Sequence, residues 1–158
     1  MKAISVIILL SFLLIGCSTP PTDYTLVFTL ESVSNYKLTI EIDSRRNYTL
    51  RRQNLYFDAH SNSENVYTAT GSLTSSDAST IEQLIASAHI FRLNDSYGFD
   101  EDASSNNPFD DILYQIIYTE RRRTKNITAR FDPNLQYPKQ LTALITFLSL
   151  YASEAGRQ

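Results

Sequence analysis

Polar and apolar residues alternate most cleanly between Tyr36 and Asp43. Tyr36, Leu38, Ile40 and Ile42 fall on one side, and Lys37, Thr39, Glu41 and Asp43 on the other. A period of two describes a strand with one buried and one wet face. Ser44-Arg45-Arg46-Asn47 reads as a turn, and Tyr48 to Arg51 carry the alternation back as a return strand. Upstream, Tyr24 to Leu30 is a β-rich run. Downstream, Leu55-Tyr56-Phe57 and Val66 to Leu73 are further strand candidates, separated by a polar loop from His60 to Asn65.

The period then changes. Thr74 with Asp77 three positions on has the form of a capping box with Asp in the Glu position, and Leu73 and Ala78 stand where a hydrophobic staple would. Ile81, Leu84, Ile85 and Ala88 make one helical stripe, with His89 near its end. Phe91 and Leu93 lead back toward the core, and residues 94 to 111 are acidic and irregular. Ile112 to Thr119 is apolar on both faces, as a central strand would be. Glu120 to Thr124 turns, and Lys125 to Phe131 pairs back with Ile127, Ala129 and Phe131 inward. After the loop Asp132-Pro133-Asn134, Pro138 suits the first turn of a last helix. Its stripe is Leu141, Leu144, Ile145, Leu148 and Tyr151, ending near Gly156. The order strands, helix, two strands, helix predicts an α+β fold. The sheet is expected to be mainly antiparallel, with about five or six strands and two helices packed on one face.

The amino terminus has a different character. Met1-Lys2 is a short positive start, and Ala3 to Gly16 is an apolar run interrupted only by Ser5 and Ser11. It falls short of the roughly 20 residues that span a bilayer and has the proportions of a signal-peptide core. Leu14-Ile15-Gly16-Cys17 closes it and resembles the lipobox of bacterial lipoproteins. That resemblance implies that the Cys17 thiol is diacylglycerylated, that the chain is cut before it, and that the new amino group is acylated. Residues 1–16 are then a lipoprotein signal peptide, 17–23 a lipidated tether, and 24–156 a single α+β domain. Three acyl chains, at about 0.8 kcal/mol per buried CH2, make release from a membrane negligible. Ser18 stands where an Asp would favour the inner membrane of a two-membrane bacterium. By the same resemblance the anchor is expected in the outer membrane, facing the periplasm, with another bacterial cell membrane as the alternative.

A second resemblance covers about residues 24 to 150. The succession Tyr36-Lys37-Leu38-Thr39-Ile40, Gly71-Ser72-Leu73, Ile90-Phe91-Arg92-Leu93, Asp95-Ser96-Tyr97, then Pro138 with Leu141 and Leu144, is similar to a small bacterial lipoprotein domain of unknown function. The Asp-Gly hairpin turn of that family is replaced here by Asp43-Ser44-Arg45. The likeness implies a fold and transfers no activity.

Composition narrows the chemistry. At 158 residues and 42% hydrophobic, the chain supports one globular domain. Its single Cys excludes an intrachain disulfide framework and every multi-Cys zinc pattern. The pI near 5.3 argues against general nucleic-acid binding. Only His60 and His89 could ligate zinc. Asp95, Asp100, Glu101, Asp102, Asp110 and Asp111, with Asn106 and Asn107, offer oxygen donors for calcium, but without the alternating D-x-D-x-D-G pattern. A solvated loop without metal or cofactor is expected. There is no G-x-S-x-G elbow and, once Cys17 is acylated, no thiol nucleophile. The chain is therefore expected not to be an enzyme.

Two groups of residues are candidates for recognition. Arg45, Arg46, Arg51, Arg52, Arg121, Arg122, Arg123 and Lys125 lie at or next to predicted turns. Turns sharing one end of the sheet would make these a positive patch for phosphates, carboxylates or an acidic partner. The plainer alternative is a charged edge that blocks strand-to-strand aggregation. The second group is a recognition loop of Tyr97, Phe99, Asp100, Asp102 and Phe109, where aromatic rings with polar neighbours suit a binding surface. Together these lead to a non-catalytic binding or assembly accessory of the cell envelope. Its expected partners are the membrane, through acylated Cys17, and an envelope protein. The rival expectation is a protective lipoprotein that inhibits a periplasmic hydrolase.

Overall fold

The computed structural model describes residues 23–32, 36–54, 66–99, 112–131 and 136–155. Within them the fold is α+β. Seven strands are present: β1 (Tyr24–Ser32), β2 (Tyr36–Asp43), β3 (Asn47–Asn54), β4 (Val66–Ser72), β5 (Ser96–Tyr97), β6 (Ile112–Glu120) and β7 (Arg123–Arg130). Two helices accompany them, α1 (Ser75–Ala88) and α2 (Lys139–Ala155), with a 3-10 turn at Ile90–Arg92. The sheet order is β4-β3-β2-β1-β6-β7-β5. Every pairing is antiparallel except β5 with β7, so the sheet is mixed.

The expected five or six strands are thus seven, and the expected order of strands, helix, two strands, helix is instead four strands, helix, three strands, helix. The extra strand, β5, lies in the segment expected to be irregular. It is two residues long and pairs in parallel with Thr128 and Ala129. So short a strand leaves no alternation to detect; the distant β7 defines it. β7 also starts earlier than expected, leaving Arg121 and Arg122 as a two-residue connection, and it stops before Phe131. Phe131 was expected inward but is 48% exposed, with its ring edge-on to Tyr114. The strand candidate at Leu55–Phe57, the loops at 60–65 and 132–134, the signal segment and the tether apart from Asp23 lie outside the described residues.

Alternation decides which face is buried. Leu26 and Phe28 of β1, Leu38, Ile40 and Ile42 of β2, Leu50 of β3, Ile116 and Tyr118 of β6, and Ile127 and Ala129 of β7 all point to one side. The helices close that side with Ala78, Ile81, Ile85 and Ala88 of α1 and Leu141, Leu144, Ile145, Leu148 and Ala152 of α2. α1 begins where its cap dictates: Thr74 Oγ1 accepts from the Asp77 N–H at 3.1 Å. It ends at His89, whose left-handed backbone (φ 47) donates to Ala86 O. Pro138 directly precedes α2, and its carbonyl accepts from Thr142 N–H at 3.0 Å.

The opposite face of the sheet carries no helix among the described residues. One row across it runs Thr68, Arg51, Thr39, Thr29, Gln115, Thr128 and Ser96, one residue from each strand. Thr29 and Thr39 are hydrogen-bonded at 3.3 Å, and Thr119 and Thr124 at 3.1 Å. Such cross-strand pairs each contribute roughly 0.2–1 kcal/mol. Val27 and Ile117 are direct neighbours near the centre of this face. No helix among the described residues is long and apolar enough to cross a membrane.

Candidate functional site at the proximal end of the sheet

β1 lies between β2 and β6, so the chain comes into the sheet between two hairpins. The end of the sheet where it does so is here called proximal. Ser44 N–H donates to Tyr24 O at 3.0 Å from one side, and Arg121 N–H donates to Asp23 O at 3.4 Å from the other. Both hairpin turns are thereby stitched to the first residues of the domain.

The β2–β3 turn is built by Asp43. Its Oδ1 accepts from the Arg45 N–H (2.9 Å) and the Asn47 N–H (2.8 Å), and its Oδ2 from Asn47 Nδ2 (3.0 Å). The backbone closes with Arg46 N–H on Asp43 O at 3.0 Å. Burial pushes the Asp43 carboxyl up, but hydrogen bonds from Asn47 and Arg45 and the Arg45 charge outweigh it and leave it below its ordinary value. This is a three-residue hairpin in which a turn is followed by a left-handed residue, and that residue is Arg46 (φ 72). The β6–β7 connection has two residues, and its first, Arg121, is also left-handed (φ 56). Short hairpins need positive φ to match strand twist, and glycine or asparagine usually supplies it. Here arginine occupies both places.

The structure divides the predicted basic residues. Arg45, Arg46, Arg121, Arg122 and Arg123 are all exposed at the proximal end. Arg51 and Arg52 are not beside a turn. They lie along β3, roughly 17 Å farther on at about 3.4 Å per residue. Arg51 stands on the threonine face between Thr39 and Thr68. Arg52 faces the helix side and, with Asn54, Val66 and Tyr67, lines an open groove of about 330 Å3. Lys125 is drawn into an ion pair with Asp95.

Within the proximal group, two arginines have local partners. Arg46 Nη1 donates to Ser75 Oγ at 3.1 Å, tying the turn to the start of α1. Arg123 stacks its guanidinium 4.0 Å from the Phe91 ring centroid, an attraction of cation and ring face. Phe91 in turn touches Tyr118 at 5.6 Å between centroids. The carboxylates around this end are Asp23, Asp43 and Glu120, with Glu82 of α1 close enough to act on Tyr24. Asp77 of α1 stands nearby as well and accepts from the Thr74 hydroxyl at 2.6 Å.

The predicted recognition loop is only partly within the described residues. Tyr97 packs edge-on to Tyr137 at 6.1 Å, and its Oη accepts from Asn94 N–H at 3.0 Å, so it braces the core margin. Phe99 is 45% exposed, with the Arg130 guanidinium 5.7 Å from its ring. Asp100, Asp102, Phe109 and Cys17 lie outside the described residues. Among the described residues no group of three or more His, Cys, Asp and Glu is placed to hold a metal ion. Sequence reasoning missed the threonine face. Its signal was present in the polar phase of the alternation: Thr25 and Thr29, Thr39, Thr49, Thr68 and Thr70, Thr124 and Thr128. No family model matches the chain, and no curated protein matches it.

Proposed function

We propose that this protein is a lipid-anchored component of the cell envelope, held at the outer membrane through acylated Cys17 with its domain facing the periplasm. There it serves as a non-catalytic binding or assembly accessory to another envelope protein. The observation that carries the anchor is the sequence Leu14-Ile15-Gly16-Cys17 at the end of an apolar run too short to span a bilayer. The fold is compatible with such a role: one face of the sheet is sealed by helices, and the other offers threonines around the Val27–Ile117 pair. On such a face the apolar pair gains from being covered, and the hydroxyls are tolerated under a partner that hydrogen-bonds them.

Mass spectrometry of the mature protein tests the anchor. The expected product begins at residue 17 and carries thioether-linked diacylglycerol and an amide-linked acyl chain, and Cys17→Ser abolishes both. An unacylated product, or one beginning elsewhere, overturns it. Cross-linked capture from the native envelope against a Cys17→Ala control tests the accessory role. A reproducible envelope protein is expected, and absence of any partner above the control refutes it.

A further inference from the structure

The two arginine hairpins have a consequence beyond anchoring. We propose that the proximal end is a membrane-facing surface on which Arg45, Arg46, Arg121 and Arg122 bind the phosphates of anionic phospholipid headgroups. The domain would then stand with its strands' proximal ends toward the bilayer and the opposite end away from it. The inference deepens the lipoprotein reading and rests on it for the position of the bilayer, though not for the charge.

Three observations carry it. The first is position. Residues 17–22 separate Cys17 from Asp23, and six residues reach at most about 20 Å. An anchor at Cys17 therefore keeps the proximal end within about 20 Å of the headgroups. The second is charge. The two turns and the first residue of β7 carry five guanidiniums, and the carboxylates around them are Asp23, Asp43, Glu120 and, on α1, Asp77 and Glu82. Among the described residues Arg121 and Arg122 make no side-chain hydrogen bond or ion pair, so their donors are free for phosphate. The turns flank β1 symmetrically, three strand spacings or about 14 Å apart, so one planar surface can meet both. The third is backbone. Arg46 and Arg121 occupy left-handed positions where glycine would sit without strain. A bulky cation in such a place twice, on either side of the chain's point of arrival, is a local backbone cost that a role for the side chain at this surface would offset. Arginine also forms bidentate contacts with phosphate that lysine does not.

The test uses the mature chain in two forms, as isolated from the envelope and as a chain produced from residue 17 onward with Cys17→Ser, which bears neither an acyl chain nor the apolar run. Cosedimentation of the Cys17→Ser form with phosphatidylcholine vesicles, with and without about one third phosphatidylglycerol, reads the arginine contacts alone. Partitioning is expected to be at least ten-fold higher on the anionic vesicles and to fall as salt shortens the screening length. Arg45→Gln, Arg121→Gln and Arg122→Gln should each reduce it about five-fold. Arg51→Gln, on the threonine face, should leave it unchanged. Arg121→Gly removes the charge while relieving the left-handed backbone, so it should bind less yet melt no lower, which separates lost binding from lost folding. Equal partitioning onto both vesicles, or equal losses from Arg51→Gln and Arg121→Gln, overturns the proposal. Mass spectrometry of the envelope form keeps the two ideas apart. An acylated protein whose Cys17→Ser form ignores anionic lipid retains the anchor and loses the surface. An unacylated protein that discriminates between the vesicles loses the anchor as read and retains the surface.

Discussion

Gly71 is the residue whose side chain is most informative by its absence. It pairs across the sheet with Tyr48, and a Cβ built on it would come 2.6 Å from the Tyr48 hydroxyl and 2.7 Å from Cζ. The Tyr48 ring lies over the glycine and is held from above by Tyr151, edge-on at 5.9 Å, which itself stacks on Phe147 at 6.2 Å. The ring therefore has a floor and a ceiling, and adding a methyl to the floor forces it off both. Gly71→Ala is expected to cost about 1–2 kcal/mol, the usual range for overpacking. In a Tyr48→Leu background the same change should become neutral or stabilising, because alanine then only removes freedom from the unfolded chain. Urea unfolding of the four variants measures this. The same sign in both backgrounds would mean that Tyr48 is not what the glycine accommodates.

At the scale of the element, α1 depends on its first residue. The Thr74 hydroxyl accepts from the Asp77 N–H and donates to the Asp77 carboxylate. That differs from the reciprocal box the sequence suggested, since the shorter Asp side chain takes the hydroxyl proton instead of a backbone one. Thr74→Ala should cost about 1 kcal/mol, and Thr74→Ser only a few tenths. Calorimetry would register the first as a fall of roughly 4 °C in Tm, and an unchanged Tm would show that packing alone fixes the helix start. The longer elements were legible because each buries a regular set of positions: Leu38, Ile40 and Ile42 at period two, Ile81, Ile85 and Ala88 at helical spacing. What was not legible depended on distant partners. β5 exists because β7 lies beside it, and Phe131 is exposed because the strand ends one residue earlier. For the candidate site, the arginines could be read as turn residues. That two of the turns flank β1 could not, because strand order is not written in local pattern. The same ignorance placed Arg51 and Arg52 with them, although β3 carries both well away from its turn.

At the scale of the whole molecule, buried tyrosines tie the fold to pH. Tyr24 and Tyr118 are 4% and 2% exposed and lie 6.0 Å apart under the proximal end. Burial is the main reason the Tyr24 phenol is pushed up to about 12, with Glu82 and Asp43 adding repulsion. Tyr118 is raised further, by burial and then by Glu120 and Tyr24. Burial also raises Tyr151 to about 12 and lifts Tyr114. In the unfolded chain these phenols ionise near pH 10. From there to about pH 12 the unfolded chain sheds protons that the folded one keeps. Stability is therefore intact below pH 10 and declines as pH rises through that interval. Tyr24 and Tyr118 together set an upper slope of about 3 kcal/mol per pH unit. Urea midpoints followed with phenolate absorbance should stay level to pH 9.5 and then drop. The buried Tyr24 and Tyr118 should ionise only as helical circular dichroism is lost. Tyr118→Phe, which removes one of the protons at issue, should flatten the decline even where it lowers stability at pH 7. Ionisation of Tyr24 and Tyr118 near pH 10 with the fold intact would show that water reaches both phenols in the folded protein, and the pH dependence would then have another source.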